Sequence, residues 1–399
     1  MNEPKIELRP RNRGFTPARK PFPMPPNLQR MFDRGIADLA QPFRGVTTDG
    51  KVAPGLFKVR KTGLSLQPVL DAARNYLQAL TPTQRTTTSF ELDSDAWRSW
   101  SNVHPFLMRH GLCLADLEEA PREAALGLVR ASMSAAGYTL ARDIMKLNEH
   151  IKEITGRPEE YGEWLYWVSI MGTPSASEPW GWQIDGHHLI VNCFLLGDQI
   201  VLTPNFMGSE PVIAQSGKYQ GIRVFAAEEE RGFSLMSALT PEQRLRATIG
   251  ERLPFDVVAT AGNDNLVMPA EGIRYGDLSK EQQERLLALI AVYTGRIRPG
   301  HAEIEFDAIK RHLDATSFAW IGAFGPTAPF YYRVHSPVVL IEFDHQSGIA
   351  LDNDEPTRNH IHTLVRTPNG NDYGKDLLRQ HYEQHDHSHP HSPHRQGRK

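Results

Sequence analysis

Apolar positions recur at helical spacing from about residue 66 to about 155 and mainly at strand spacing beyond that. In "LQPVLDAARNYLQALTPTQR", Leu66, Val69, Leu70, Ala73, Leu77 and Leu80 share a helical face. Thr81-Pro82 closes that helix, because a residue before proline is pushed out of the helical region. In "TSFELDSDAWRSWSNVH", Asp93 and Ser94 suit a cap. "LADLEEAPREAALGLVRASMSAAGYTLARDIMKLNEHIKEITG" then reads as helix for about 40 residues, with a break near Gly137. Near residue 160 the texture changes. "GEWLYWVSIMG" alternates and is rich in aromatics, and "HHLIVNCFLLGDQIVLTPNFMG" reads as two strands around a Gly197-Asp198 turn. Helices follow at "TPEQRLRATIG", capped by Thr240, and at "SKEQQERLLALIAVYTGRI", capped by Ser279. "SFAWIGAF", "PFYYRVHSPVVLIEFDHQ" and "HIHTLVRTP" are strands, and "GKDLLRQHYEQH" is a final helix. Short turns rather than crossover helices separate the late strands, which predicts antiparallel pairing. The fold class is therefore α+β: a helical N-terminal region, then a mainly antiparallel mixed sheet with flanking helices.

Three segments follow from the same pattern. Residues 1–65 are rich in Pro and Arg and lack periodicity, which predicts an arm packed on the body or partly disordered. Residues 66–385 are the patterned region, helical over 66–158 and sheet-rich over 159–385, long enough for one large domain or two. Residues 386–399 belong to a low-complexity, disordered His-rich tail.

Composition narrows the function classes. The 399 residues are 40% hydrophobic and 23% charged, with a net charge of −3, so neither nucleic acid nor an anionic membrane is the expected partner. The two cysteines, Cys113 and Cys193, exclude a disulfide framework and a Cys-pair metal site. The N-terminus lacks an apolar signal core, and the apolar runs fall short of the ~20 residues of a spanning helix. A cytoplasmic protein is expected, with no prediction of oligomeric state.

The chemistry lies with the histidines. His381, His385, His387, His389, His391 and His394 crowd the C-terminus, where they give loose metal affinity in any conformation. "HYEQH" places two on one helical face but lacks the Glu that a zincin carries directly after its first His. No phosphate-cradling glycine loop and no nucleophile-elbow serine occurs. The informative set is internal. His360 and His362 are two apart on a strand and share a face. Glu342 sits inside an apolar strand, with Asp344 on the same face, and a carboxylate there is costly unless paired or coordinated. His187 and His188 open another apolar run; on a strand only one of them would point into a shared site. His187 or His188 with Glu342, His360 and His362 would supply three imidazoles and a carboxylate. That donor set suits a divalent transition metal, zinc first, with iron, manganese or copper as alternatives.

The strings "MGTPSASEPWGWQIDGHHLIVNCFLLGDQIVLTPNFMGSEP", "FAWIG", "FYYRVHSPVVLIEFD", "NHIHTLVR" and "NDYGKDLLRQHYEQH" resemble a bacterial and fungal family known only as domain of unknown function number thirty-five hundred. The resemblance spans roughly residues 65 to 385 and implies one unit. It also implies that Gly186-His187-His188, Glu342, His360-Ile361-His362, Asp372 and His381 belong to a recurring pattern. It implies no activity.

The expected function is a metal-dependent enzyme acting on a small organic molecule, most simply a hydrolase using metal-activated water. Asp185 or Glu178, in the loop before the His pair, would be the general base. Arg366 would hold an anionic group of the substrate. Trp180 and Trp182 would wall the pocket. The alternatives are an iron- or copper-dependent oxidoreductase, a non-enzymatic metal-handling protein loaded through the tail, and a ligand-binding protein whose histidines only satisfy core polar groups.

Overall fold

The strand-patterned part of the chain builds one thirteen-stranded sheet. The structure, a computed structural model, describes residues 8–385; the expected disordered tail over 386–399 lies outside the described residues. Eight strands have five or more residues: β1 (Tyr166–Met171), β2 (Trp180–Gly186), β3 (Leu189–Leu196), β4 (Asn205–Ser209), β5 (Ser317–Ile321), β6 (Tyr331–His335), β7 (Leu340–Gln346) and β8 (Thr357–Arg366). Their order is β1-β2-β3-β4-β8-β7-β6-β5, with every neighbouring pair antiparallel. Ser89–Phe90 runs parallel to β1 and Thr248–Gly250 parallel to β5, which makes the sheet mixed at its edges. One meander thus enters from each edge, and the two meet at the β4–β8 pair.

The helices of ten or more residues are α1 (Pro26–Leu39), α2 (Gln67–Ala79), α3 (Glu119–Ser132), α4 (Ala135–Thr155), α5 (Ala226–Ala238), α6 (Lys280–Thr294), α7 (His301–Lys310) and α8 (Lys375–Gln384). Residues of α2 to α6 pack with Trp182, Met207 and Ile341 into the larger core on one sheet face. Phe206, Leu340 and Leu364 point the other way and bury against Trp97, Trp100, the 257–268 loop and α8. Among the described residues, no helix is long and apolar enough to cross a membrane.

The architecture matches the α+β expectation, with local corrections. The arm holds α1, which starts with Pro26 at its first position. The arm is fastened to the body: Arg11 binds the carbonyl oxygens of Leu351 and Asn353, and the Thr16 amide donates to Glu160. The long helical stretch breaks at Met133-Ser134 rather than at Gly137, because Ser134 accepts from the Gly137 amide and caps α4. Gly137 lies inside α4, where a Cβ would meet the Arg296 carbonyl oxygen at 2.4 Å. "PWGWQIDG" is a strand rather than a loop. Its polar residues Gln183 and Asp185 are buried, so the face that usually marks a half-exposed strand by solvation is dry.

Arg366 shows what holds the second sheet face together. Its guanidinium is fully buried and donates to Asp264 at 3.0 Å, to Asp372 at 2.9 Å, and to the carbonyl oxygens of Ala259 and Thr260. It therefore has no reach to a substrate, which corrects its assignment as an anion clamp. Truncating it would leave two buried carboxylates without their cation. We expect Arg366→Ala to lose about 3–5 kcal/mol of stability in urea unfolding; a loss below about 1 kcal/mol would show that the network is not fastening this face.

Candidate metal centre

His187 and His188 are the two-residue turn of the β2–β3 hairpin, since Gly186 pairs with Leu189. His188 adopts a left-handed backbone (φ 63°), held by its amide to the Asn102 carbonyl and by its carbonyl to the Gly208 amide. The turn brings both rings to one side, stacked with centroids 3.8 Å apart. Strand alternation, which would have sent them to opposite faces, does not apply in a turn. On β8, His360 and His362 share a face, and His362 lies opposite Gly208 of β4. A Cβ on Gly208 would sit 2.8 Å from the His362 ring and 3.2 Å from the His188 ring. Only glycine leaves room for the two imidazoles to meet across that strand.

The result is a buried group in which His188, His360 and His362 each offer a ligand atom, all within 4.8 Å of one another. The His360 Nε2 lies 3.3 Å from the His188 Nε2 and 3.0 Å from the His362 Nε2. The rear nitrogens fix the tautomers. The His360 Nδ1 faces the Ser347 carbonyl oxygen at 2.7 Å, so it carries the proton. The His362 Nδ1 donates to Asp256 Oδ1 at 2.7 Å. Burial alone would raise the Asp256 pKa, but His362, Asn102 and Thr260 hold it below the usual carboxylate value, so it accepts. With His362 neutral, two unprotonated Nε2 atoms point at each other, and their lone pairs repel unless a cation lies between them. Burial pushes the His360 pKa down to about 3 and that of His188 well below its ordinary value, so neither ring supplies that cation as imidazolium near neutral pH.

Metal geometry fits the gap. With metal–nitrogen bonds of about 2.0–2.1 Å, tetrahedral ligands are separated by about 3.3 Å and facial octahedral ones by about 2.9 Å. The separations of 3.0 and 3.3 Å fall in that interval. A His–carboxylate pair behind a ligand, as Asp256 stands behind His362, is the usual way to orient a metal-bound imidazole.

The other expected site residues lie elsewhere. His187 is not in the three-nitrogen group; its Nδ1 meets Asn148 Oδ1 at 2.8 Å, while the Asn148 amide nitrogen donates to the Gly162 carbonyl. Glu342 is correctly buried but is no ligand of this group. It accepts from the amides of Val258 and Ala259 at 2.7 and 2.9 Å and from the Tyr331 hydroxyl at 2.6 Å. Asp185 is paired with Arg109 at 2.6 Å within β2, not free in a loop as a base. Glu178 is exposed and 3.5 Å from His381, beyond the far end of β2 and so about 20 Å from the His pair. Trp180 and Trp182 sit in the helix-facing core, Trp182 donating to Ser132 Oγ, and do not wall the histidines.

Sequence reasoning missed Asp256, Gly208 and Asn148. Asp256 lies in "PFDVVATAGND", an irregular stretch with no periodicity to place it; Gly208 was a plain strand glycine. Asp344 lies directly opposite His362, with its Oδ1 buried and unpartnered; burial, then the charges of Asp256 and Glu342, push its pKa well above normal.

An irregular loop system therefore closes a three-imidazole centre on the seam of a mixed sheet, a group in an α+β protein that could hold a metal ion. The family model for "Protein of unknown function (DUF3500)" matches residues 62–375, and the chain belongs to that family. No curated protein and no solved structure matches it.

His104, His187, His188 and His360 are all held neutral, with burial as the largest cause. In the unfolded chain each takes a proton near pH 6.5, whereas the folded His360 waits until about pH 3. Stability is therefore full above pH 6.5 and falls as pH drops from there toward 3, by about 1.4 kcal/mol per pH unit for each such histidine. We expect chelator-treated protein to show a falling urea midpoint across that window. A midpoint that stays flat from pH 7 to pH 5 would contradict the neutral state of these rings.

Proposed function

We propose that the protein is a metal-dependent hydrolase acting on a small organic molecule, with zinc held by the Nε2 atoms of His188, His360 and His362. One observation carries the reading: three buried imidazoles converge at 3.0 and 3.3 Å with the Nδ1 protons of His360 and His362 committed elsewhere. Three nitrogen ligands leave a tetrahedral metal one open position, the composition of a catalytic rather than a structural zinc site. A metal so held lowers the pKa of its bound water to about 7 or polarises a carbonyl. His187, whose ring stacks on His188 with centroids 3.8 Å apart, supports the chemistry as a neighbouring base. Its Nδ1 proton is tied to Asn148, so Nε2 keeps its lone pair, and burial keeps the ring neutral. The two free buried cysteines support a reducing, cytoplasmic location, and the weak net charge supports a small-molecule substrate over nucleic acid.

Elemental analysis of the full chain tests the reading, with His387, His389, His391 and His394 replaced by Ala to silence the tail. We expect about one metal per chain, falling below about 0.2 in His360→Ala and in His362→Ala. Equal metal content in all three proteins would end the proposal. Iron or copper with oxygen uptake, in place of zinc, would move it to oxidoreductase chemistry. We further expect Asp256→Asn to weaken metal affinity by about 10–100-fold while leaving the fold intact, read by competition with a chromogenic chelator. His187→Ala should keep the metal and lose most of the metal-dependent hydrolysis of p-nitrophenyl acetate, about 10²-fold or more.

A further inference from the structure

A second site lies on the opposite face of the sheet from the histidines. Asn205 of β4 pairs with Val365 of β8, and both alternate with the residues that point toward His362. They floor a cavity of about 490 Å³, within the ~300–1,000 Å³ span of small-molecule sites. Its outer walls are the 55–62 segment, the turn after α6, and α7.

Three features of the wall define what fits. Phe57, Ile297, Ile304, Val339, Val365 and Leu377 make its body apolar. At the mouth, Lys58, Arg60 and Arg311 are exposed, and none of them makes an ion pair among the described residues. At the inner end Asn205 is buried, 3% exposed, and its Oδ1 has no hydrogen-bond partner. The acid in the wall is Glu305, which burial pushes up to about 7, so it opposes an anion only weakly near neutral pH.

We propose that this cavity binds a small organic anion with an apolar body, its acid group held at the mouth by Lys58, Arg60 and Arg311. The three exposed cations fix the sign of the ligand's charge, and the apolar wall fixes its body. The site stands apart from the metal reading and does not depend on it.

The probe is anilinonaphthalenesulfonate, an apolar anion that also carries one N–H, titrated by fluorescence into the full chain as isolated. We expect saturable binding of one probe per chain. N-phenylnaphthylamine, with the same rings and N–H but no sulfonate, should bind at least tenfold more weakly. Arg60→Glu with Arg311→Glu should weaken the sulfonate at least tenfold, since both residues are exposed and outside the core. Ala308→Trp, which fills the cavity from α7, should abolish it. Thermal unfolding and metal content should be unchanged in the charge-reversed protein. Absence of saturable binding overturns the proposal. So does sulfonate binding that survives both the charge reversal and Ala308→Trp, or equal affinity for the uncharged analogue.

Discussion

The rings of His360 and His362 and the backbone of His188 are each held by a loop, and each loop is held in turn by a carboxylate rising from the sheet. Glu342 takes the amides of Val258 and Ala259, and that loop carries Asp256 to His362. Glu210, just past β4, takes the amides of Ile349, Ala350 and Leu351, and that loop carries the Ser347 carbonyl to His360. Asp185 takes the Ser101 amide and Arg109, and that loop carries the Asn102 carbonyl to the His188 amide. Without these buried anions the loops would have to orient the rings through flexible backbone alone. Convergent lone pairs that repel one another need a stiffer frame than that. Glu342 and Glu210 commit both oxygens to hydrogen-bond donors, mostly backbone N–H groups, and Asp185 is paired with Arg109, which is why they tolerate burial without coordinating anything.

The same frame extends beyond the family-matched region. The arm places Arg13 on Glu160 and on the Tyr161 hydroxyl, and brings Thr16 Oγ1 within 2.7 Å of the His104 Nε2. His104 and Tyr161 pack their rings against His187, which stacks on His188. A column of rings therefore runs from the arm to the candidate ligands. It excludes water on that side and strengthens every electrostatic contact within. Residues before 62, outside the matched region, thus help to close the centre the family domain builds.

How much of this could be read in the sequence follows from what each residue does. Periodicity located the strands, the capped helices and the antiparallel order, because burial of apolar faces leaves a repeating mark. The "HIH" pair was legible for the same reason: strand alternation put both rings on one side. The "GHH" pair was legible as chemistry but not as geometry, since the turn that stacks the rings depends on the Asn102 and Gly208 contacts, far away in sequence. Glu342 was correctly singled out as a costly charge, whereas Asp185 and Arg366 were read as a base and an anion clamp. The string could not say whether such a charge meets a metal, a substrate or a backbone amide. Asp256 left no mark, because a loop residue that acts through one long-range hydrogen bond has neither period nor motif.

The division of labour between the two sheet faces explains why the seam strands carry opposite chemistry on alternate residues. On β8, His360, His362, Leu364 and Arg366 look toward the loops, whereas Thr363 and Val365 look toward the helices. Thr363 donates to the Met207 carbonyl and receives Arg296, whose other arm is paired with Glu228 at 2.7 Å. Arg296 also borders the anion cavity. The β4–β8 seam separates that cavity from the histidines. Its residues are almost all buried, and a close-packed strand transmits displacement rather than absorbing it.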